Sequence, residues 1–85
     1  MVYSIIRLTQ VQLETGLSKS TIYLRIKEGL FPPPIPLGRR ARGWPISEVT
    51  TINKARAAQA SEPQIKALVL KLIEERNSGS FQEAA

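Results

Sequence analysis

The fold of this chain is decided by residues 16–29, which read GLSKSTIYLRIKEG. Gly16 is predicted to end a preceding helix, because glycine readily takes the left-handed conformation found at helix C-termini. Ser18 follows as the expected N-cap of a second helix, which extends from Lys19 to Glu28 and is closed by Gly29. Two helices joined by so short a glycine-containing turn form the core of a helix-turn-helix.

The segment before this turn predicts a short first helix. Thr9 is its expected N-cap, and Gln12, three residues on, completes a capping box. The first helix is therefore expected to extend from Gln10 to about Thr15.

A hairpin is predicted after the second helix. The prolines of residues 32–36 cannot continue a helix, because proline lacks an N–H donor and fixes an extended backbone. Residues 35–37 and 43–44 are expected to form two short strands, joined by a loop over residues 38–42. Such a hairpin after a helix-turn-helix is a wing. The prolines in both arms predict edge strands, and Trp44 is expected to anchor the wing in the core.

Two more helices are predicted. Ser47 is the expected N-cap of a third helix that extends to about Ala60. Its inward positions are Val49, Ile52 and Ala55. Residues 61–64 read SEPQ, a second capping box with proline in the tolerated first turn. The fourth helix then shows an unbroken apolar stripe at helical spacing, formed by Ile65, Leu68, Val69, Leu72 and Ile73.

These elements predict a mostly α domain with a small β-hairpin wing, in which residues 1–60 form a winged helix-turn-helix. Residues 61–77 form a C-terminal amphipathic helix, and residues 78–85 are expected to be a disordered tail. The apolar stripe of the fourth helix either covers the domain's own core or serves as a surface for self-association.

The composition argues against catalysis and against a metal or cofactor. The chain has 85 residues, no cysteine and no histidine. A chain of this length forms one small domain and rarely encloses a substrate pocket. The missing residue types remove disulfide frameworks, thiolate zinc sites and most nucleophile–base pairs. We therefore predict a binding protein and no enzyme.

The charge favours a polyanionic partner. Twelve basic and seven acidic residues give a net charge of +5. Residues 1–45 contain seven of the basic side chains and only two of the acidic ones, so the whole surplus lies there. Together with the predicted helix-turn-helix, this segregation makes double-stranded DNA the expected partner. No membrane segment or signal peptide is evident, and a cytoplasmic protein is expected.

The second helix is predicted to present one face to DNA and another to the core. On a helical wheel Ile22, Ile26 and Leu30 lie together and are expected to be buried. Leu24 lies among polar residues, either as an ordinary exposed leucine or as a contact to a thymine methyl group. Tyr23 lies at the border, where its ring can pack while its hydroxyl holds a phosphate. The candidate contacts are Lys19, Ser20, Thr21, Tyr23, Leu24, Arg25 and Lys27 in the helix, and Arg39, Arg40 and Arg42 in the wing.

Four runs of sequence together resemble the AlpA family of phage and prophage regulators. They are residues 16–23, 26–32, 37–44 and 47–49, and the resemblance covers about residues 7–53. It implies an excisionase-like and MerR-like winged helix-turn-helix. In it, Ser20, Thr21, Tyr23, Leu24 and Arg25 would belong to the recognition helix, and Arg39, Arg40 and Arg42 would be wing contacts. The family usually has tryptophan shortly after Ser-Glu-Val, where this chain has Ile52.

The predicted function is sequence-specific DNA binding by a prophage-type transcriptional regulator. Two alternatives remain open. One is an excisionase that bends attachment-site DNA, and the other is an inhibitor or adaptor that binds a protein. RNA polymerase or an integrase would be the further partner in the DNA-binding cases.

Overall fold

The computed structural model describes residues 4–78, which form four helices and three short strands. The helices are α1 (Leu8–Thr15), α2 (Lys19–Lys27), α3 (Ile46–Ala57) and α4 (Glu62–Ser78). The strands are β1 (Ile5–Ile6), β2 (Ile35–Pro36) and β3 (Arg42–Pro45). The chain is thus mostly helical with a small antiparallel sheet, the arrangement predicted for a winged helix-turn-helix.

The turn between α1 and α2 forms as the sequence predicts. Gly16 adopts a left-handed conformation with φ of 73°, and its N–H donates to the Gln12 carbonyl at 2.8 Å. Ser18 caps α2, since its hydroxyl accepts from the Thr21 N–H at 3.3 Å. The relative orientation of α1 and α2 is therefore set by local hydrogen bonds at both helix ends.

Three predicted helix boundaries are wrong. Thr9 is not an N-cap, because the chain leaves β1 directly into α1 and the extended residue before the helix is Arg7. Ser47 lies inside α3, which begins one residue after Pro45 at the end of β3. The third helix ends at Ala57 and not at Ala60, and Gln59 follows with a positive φ of 61°. In each case the neighbouring strand or turn, and not a side-chain cap, sets the boundary.

The sheet contains a strand that the sequence did not predict. Its order is β1-β3-β2, with both pairs antiparallel. In the register Ile6 lies opposite Trp44, and Ile35 lies opposite Gly43. The predicted edge position is therefore right for β2 but wrong for β3, which is central. Pro45 is tolerated there because it occupies the last position of β3, and the next N–H, of Ile46, donates to the Ser4 carbonyl at 2.8 Å.

The core lies between the helices and the sheet. Trp44 is fully buried, as predicted, and so is Ile22 on the inner side of α2. The indole N–H of Trp44 donates to the Pro32 carbonyl at 2.9 Å, which joins β3 to the proline-rich segment. The buried apolar residues are Val11, Ile22, Leu30, Phe31, Trp44, Val49, Ile52, Ile65 and Val69.

Helix α4 packs on this core through its apolar stripe. Its capping box is present, since the Ser61 N–H donates to the Gln64 side chain at 2.8 Å and the Gln64 N–H donates to the Ser61 hydroxyl at 3.4 Å. At the other end, Arg76 pairs with the buried carboxylate of Glu48 and donates to the Pro33 carbonyl at 3.1 Å. The tail predicted for residues 78–85 lies outside the described residues from position 79. Within residues 4–78, no helix has the length and apolar character needed to cross a membrane.

Candidate nucleic-acid interface

The outer face of α2 is open to solvent along its whole length. Lys19, Ser20 and Lys27 are exposed, while Ile22 on the opposite side is completely buried. Leu24 lies on the open face with 53% of its surface exposed. This face is thus polar and basic with one apolar side chain at its centre, as the helical wheel predicts.

The N-terminus of α2 is held in place by hydroxyl groups. The Ser18 hydroxyl donates to Thr21 Oγ1 at 2.9 Å while it accepts from the Thr21 N–H. Thr21 is half-buried, and its hydroxyl accepts this bond. Ser20 is exposed beside it, and its hydroxyl lies 3.5 Å from the Ser18 hydroxyl. Of these two predicted contacts, Ser20 is the more accessible to a ligand.

Trp44 connects α2 to the hairpin. The ring of Tyr23 packs edge-on against the indole, with 6.4 Å between ring centroids. Tyr23 nevertheless keeps 38% of its surface exposed. Since the aromatic body packs while part of the side chain stays accessible, both roles considered for Tyr23 are compatible with its position.

The hairpin presents its arginines to solvent. Arg39 and Arg40 lie in the loop and Arg42 begins β3, and all three are exposed. The loop is closed at its base by the Leu37 N–H, which donates to the Ala41 carbonyl at 2.7 Å. A short, closed loop limits the freedom of the arginine backbones, although the side chains themselves extend into water.

Three elements meet in one basic cleft, which has a volume of about 260 Å³. Arg40 and Arg42 enter it from the hairpin, and Tyr23 enters it from α2. The third side is formed by Arg7 and Thr9 at the start of α1, and Trp44 also lines the cleft. The sequence had not predicted that Arg7 or Thr9 would belong to the interface. Only the pairing of β1 with β3 brings them here, and the two-residue strand β1 leaves no recognisable pattern.

Within residues 4–78 the arginines of the basic cleft form no ion pair, since the one ion pair there joins Arg76 to Glu48. Guanidinium groups that are gathered without an acidic partner produce a local positive potential and offer several N–H donors to an anion. The arrangement suits the oxygens of a phosphate backbone.

Arg25 differs from the other predicted contacts. Its side chain is half-buried, and its Nε is buried without a hydrogen-bond partner among the described residues. It lines a separate concavity of about 320 Å³ together with Arg56, Glu28 and Glu62. Arg25 therefore lies at the margin of the open α2 face, close to the start of α4.

These features define a small helix-turn-helix protein with a basic hairpin beside its second helix. The chain belongs to the AlpA family, because the family model described as "Prophage CP4-57 regulatory protein (AlpA)" matches residues 4–53. The matched region contains β1 through most of α3 and excludes α4.

One relative is a phage protein. The chain is 43% identical over 53 residues to a protein of Enterobacteria phage P4 that is described as uncharacterized protein ORF88. The match covers 62% of this chain and 60% of the relative, so the chain spans less than two thirds of the relative's length. No solved structure matches the chain.

Proposed function

We propose that this protein binds double-stranded DNA sequence-specifically and regulates the transcription of phage or prophage genes. The main support for this proposal is the basic cleft, which is lined by Arg7, Arg40 and Arg42 together with Tyr23. The cleft adjoins the open face of α2, so one side of the domain offers both a helix and a set of anion-binding groups. Membership of a family of prophage regulators supports the regulatory role.

In this proposal α2 enters the major groove, which is wide enough to admit a helix. Ser20 and Leu24 then face base edges, Ser20 as a hydrogen-bonding group and Leu24 as an apolar contact to a thymine methyl group. Lys19 and Lys27 contact the flanking phosphates and fix the register of the helix. Thr21 and Arg25 contribute at the margin of the contact, because both are half-buried.

The hairpin and the start of α1 hold the DNA backbone beside that groove. Arg40, Arg42 and Arg7 bind phosphates in the basic cleft, and the Tyr23 hydroxyl reaches the same strand. Arg39 does not line the cleft and extends from the loop toward the adjacent minor groove, where arginine is favoured by the negative potential. Binding through four arginines makes the affinity strongly dependent on salt.

The salt dependence of binding tests this interface. We expect Arg7→Ala and Arg40→Ala each to reduce the slope of log K against log salt concentration by about one, since each removes one phosphate contact. Lys71→Ala is the matched control, because it removes the same charge from an exposed position of α4, which takes no part in the proposed contact. Fluorescence anisotropy with a mixed-sequence duplex measures all three slopes.

Unchanged salt dependence would refute this interface. If Arg7→Ala and Arg40→Ala change the slope no more than Lys71→Ala does, the basic cleft does not contact DNA. Circular dichroism of each variant verifies that the helices remain intact. Arg7 is a favourable position for this test because its side chain forms no cap hydrogen bond with α1.

A further inference from the structure

Residues 4–78 leave an apolar patch on the outer face of α4 uncovered. Leu70 lies at its centre and is 67% exposed. Beside it lies a groove of about 340 Å³ between α4 and the segment after α2. The groove is lined mainly by apolar side chains, among them Ile26, Phe31 and Ile73.

Residues of opposite charge lie at equal distances on either side of Leu70 in the sequence of this face. Lys66 lies four residues before it and Glu74 lies four residues after it. Ala67 and Ile73 lie three residues before and after it. Positions three and four residues apart share one side of a helix, so all of these residues lie on the same side of α4 as Leu70. Lys66, Ala67 and Glu74 are exposed, and Ile73 is half-buried.

An antiparallel pair of such helices is complementary to itself. When two copies of α4 cross at Leu70, each Lys66 lies level with Glu74 of the other copy, within reach of these long side chains. The pairing is isologous, as in most two-fold dimers, so each favourable contact occurs twice. A parallel arrangement would instead place Lys66 against Lys66 and Glu74 against Glu74. The charges therefore favour one partner and one orientation.

We infer that the outer face of α4 binds a second copy of this chain in an antiparallel, two-fold symmetric pair centred on Leu70. The two Leu70 side chains pack against each other at the axis, and the two Lys66–Glu74 pairs flank them. The contact involves one face of a single helix and the rim of the groove. It is therefore at the small end of the range for specific interfaces, and the dimer is weak and reversible.

This inference does not depend on DNA binding and is tested without DNA. Analytical ultracentrifugation of the full chain, from about 10 µM to about 1 mM at low salt, is expected to show a reversible monomer–dimer equilibrium. Lys66→Glu and Glu74→Lys are each expected to weaken the dimer about tenfold, because each places two like-charge pairs across the axis. Lys71→Glu and Glu75→Lys are the matched controls, since they make the same charge changes away from the Leu70 face and are expected to leave the equilibrium unchanged.

The decisive sample is a mixture of the two interface variants. In a heterodimer of Lys66→Glu with Glu74→Lys every pair across the axis is again of opposite charge, so mixing is expected to restore dimerisation to the level of the original chain. A chain that remains monomeric at about 1 mM, or variants that are not rescued by mixing, would overturn the inference. Dimerisation that appears only after residues 79–85 are deleted would also overturn it, because it would assign the groove to that segment. Thermal unfolding at low concentration verifies that each variant is folded.

Discussion

Gly43 shows how one residue determines the shape of the hairpin. It lies in the central strand β3, and a Cβ atom added to it would come within 2.6 Å of Ile5 Cγ2 and 2.9 Å of the Ile6 carbonyl oxygen. The backbone of β1 therefore approaches β3 so closely that only glycine fits. This close approach also brings Arg7, which follows β1, into the basic cleft beside Arg42.

Gly43→Ala is expected to destabilise the protein by about 1–3 kcal/mol, because β1 must move away to make room for the methyl group. It is also expected to weaken DNA binding at temperatures where the protein is still folded, since Arg7 moves with β1. Urea unfolding and anisotropy measure the two effects. Gly38→Ala is the matched control, because a Cβ atom there meets no other atom within 4 Å. Equal stability of the two variants would contradict this account of the sheet.

The structural roles of some residues could be predicted from the sequence, whereas the positions of others could not. Gly16 and Ser18 were predicted correctly because their roles depend on local backbone geometry, which neighbouring residues fix. The position of Arg7 depends on a pairing between residues about forty positions apart in the sequence, and neither partner has a pattern long enough to recognise. Arg25 likewise shares a concavity with Arg56 of α3 and Glu62 of α4, which lie more than thirty positions away in the sequence.

At the scale of elements, α4 is fixed to the domain by a polar clamp as well as by its apolar stripe. Arg76 donates to both carboxylate oxygens of Glu48, with Nε at 3.1 Å from Oε2, and also to the Pro33 carbonyl. The Glu48 side chain has a relative exposure of only 6%. The clamp thus joins α3, α4 and the proline-rich segment that leads into the hairpin.

Removal of one partner from this clamp is expected to destabilise the folded protein. Arg76→Ala leaves Glu48 buried without its partner and should lower the free energy of unfolding by about 3–5 kcal/mol. The double variant Glu48→Leu with Arg76→Leu should be clearly more stable than Arg76→Ala, since it leaves no unpaired buried charge. Urea denaturation measures both. If Arg76→Ala cost as little as an exposed substitution such as Lys71→Ala, the clamp would have no structural importance.

The elements themselves were more predictable than their boundaries. The periodicity of α4 and the capping box at Ser61 were sufficient to predict that helix, because both signals are local. The starts of α1 and α3 were misplaced because in both cases a β-strand leads directly into the helix. The extended residues Arg7 and Pro45 then precede the first turn, and neither caps it with a side chain. A cap-based prediction cannot recognise such a start.

At the scale of the whole molecule, two surfaces with different properties lie on one small domain. The basic surface is formed by α2, the hairpin and the start of α1, and these belong to the region that defines the family. The outer face of α4 lies beyond that region. Self-association through α4 would bring two DNA-binding surfaces together. Linked binding sites gain affinity without any new contact to DNA, so a weak dimer would be sufficient.

Sequence-specific binding to DNA can be tested by sequencing the native genomic fragments that the purified protein retains at about 150 mM salt. We predict enrichment of one or a few discrete sites, and loss of retention for the protein that carries both Arg7→Ala and Arg40→Ala. Sites at promoters would identify a transcriptional regulator, whereas clustered sites in attachment arms beside an integrase gene would identify an excisionase. Uniform retention across the genome, or none, would contradict the claim and leave only charge attraction or a protein partner to explain the basic surface.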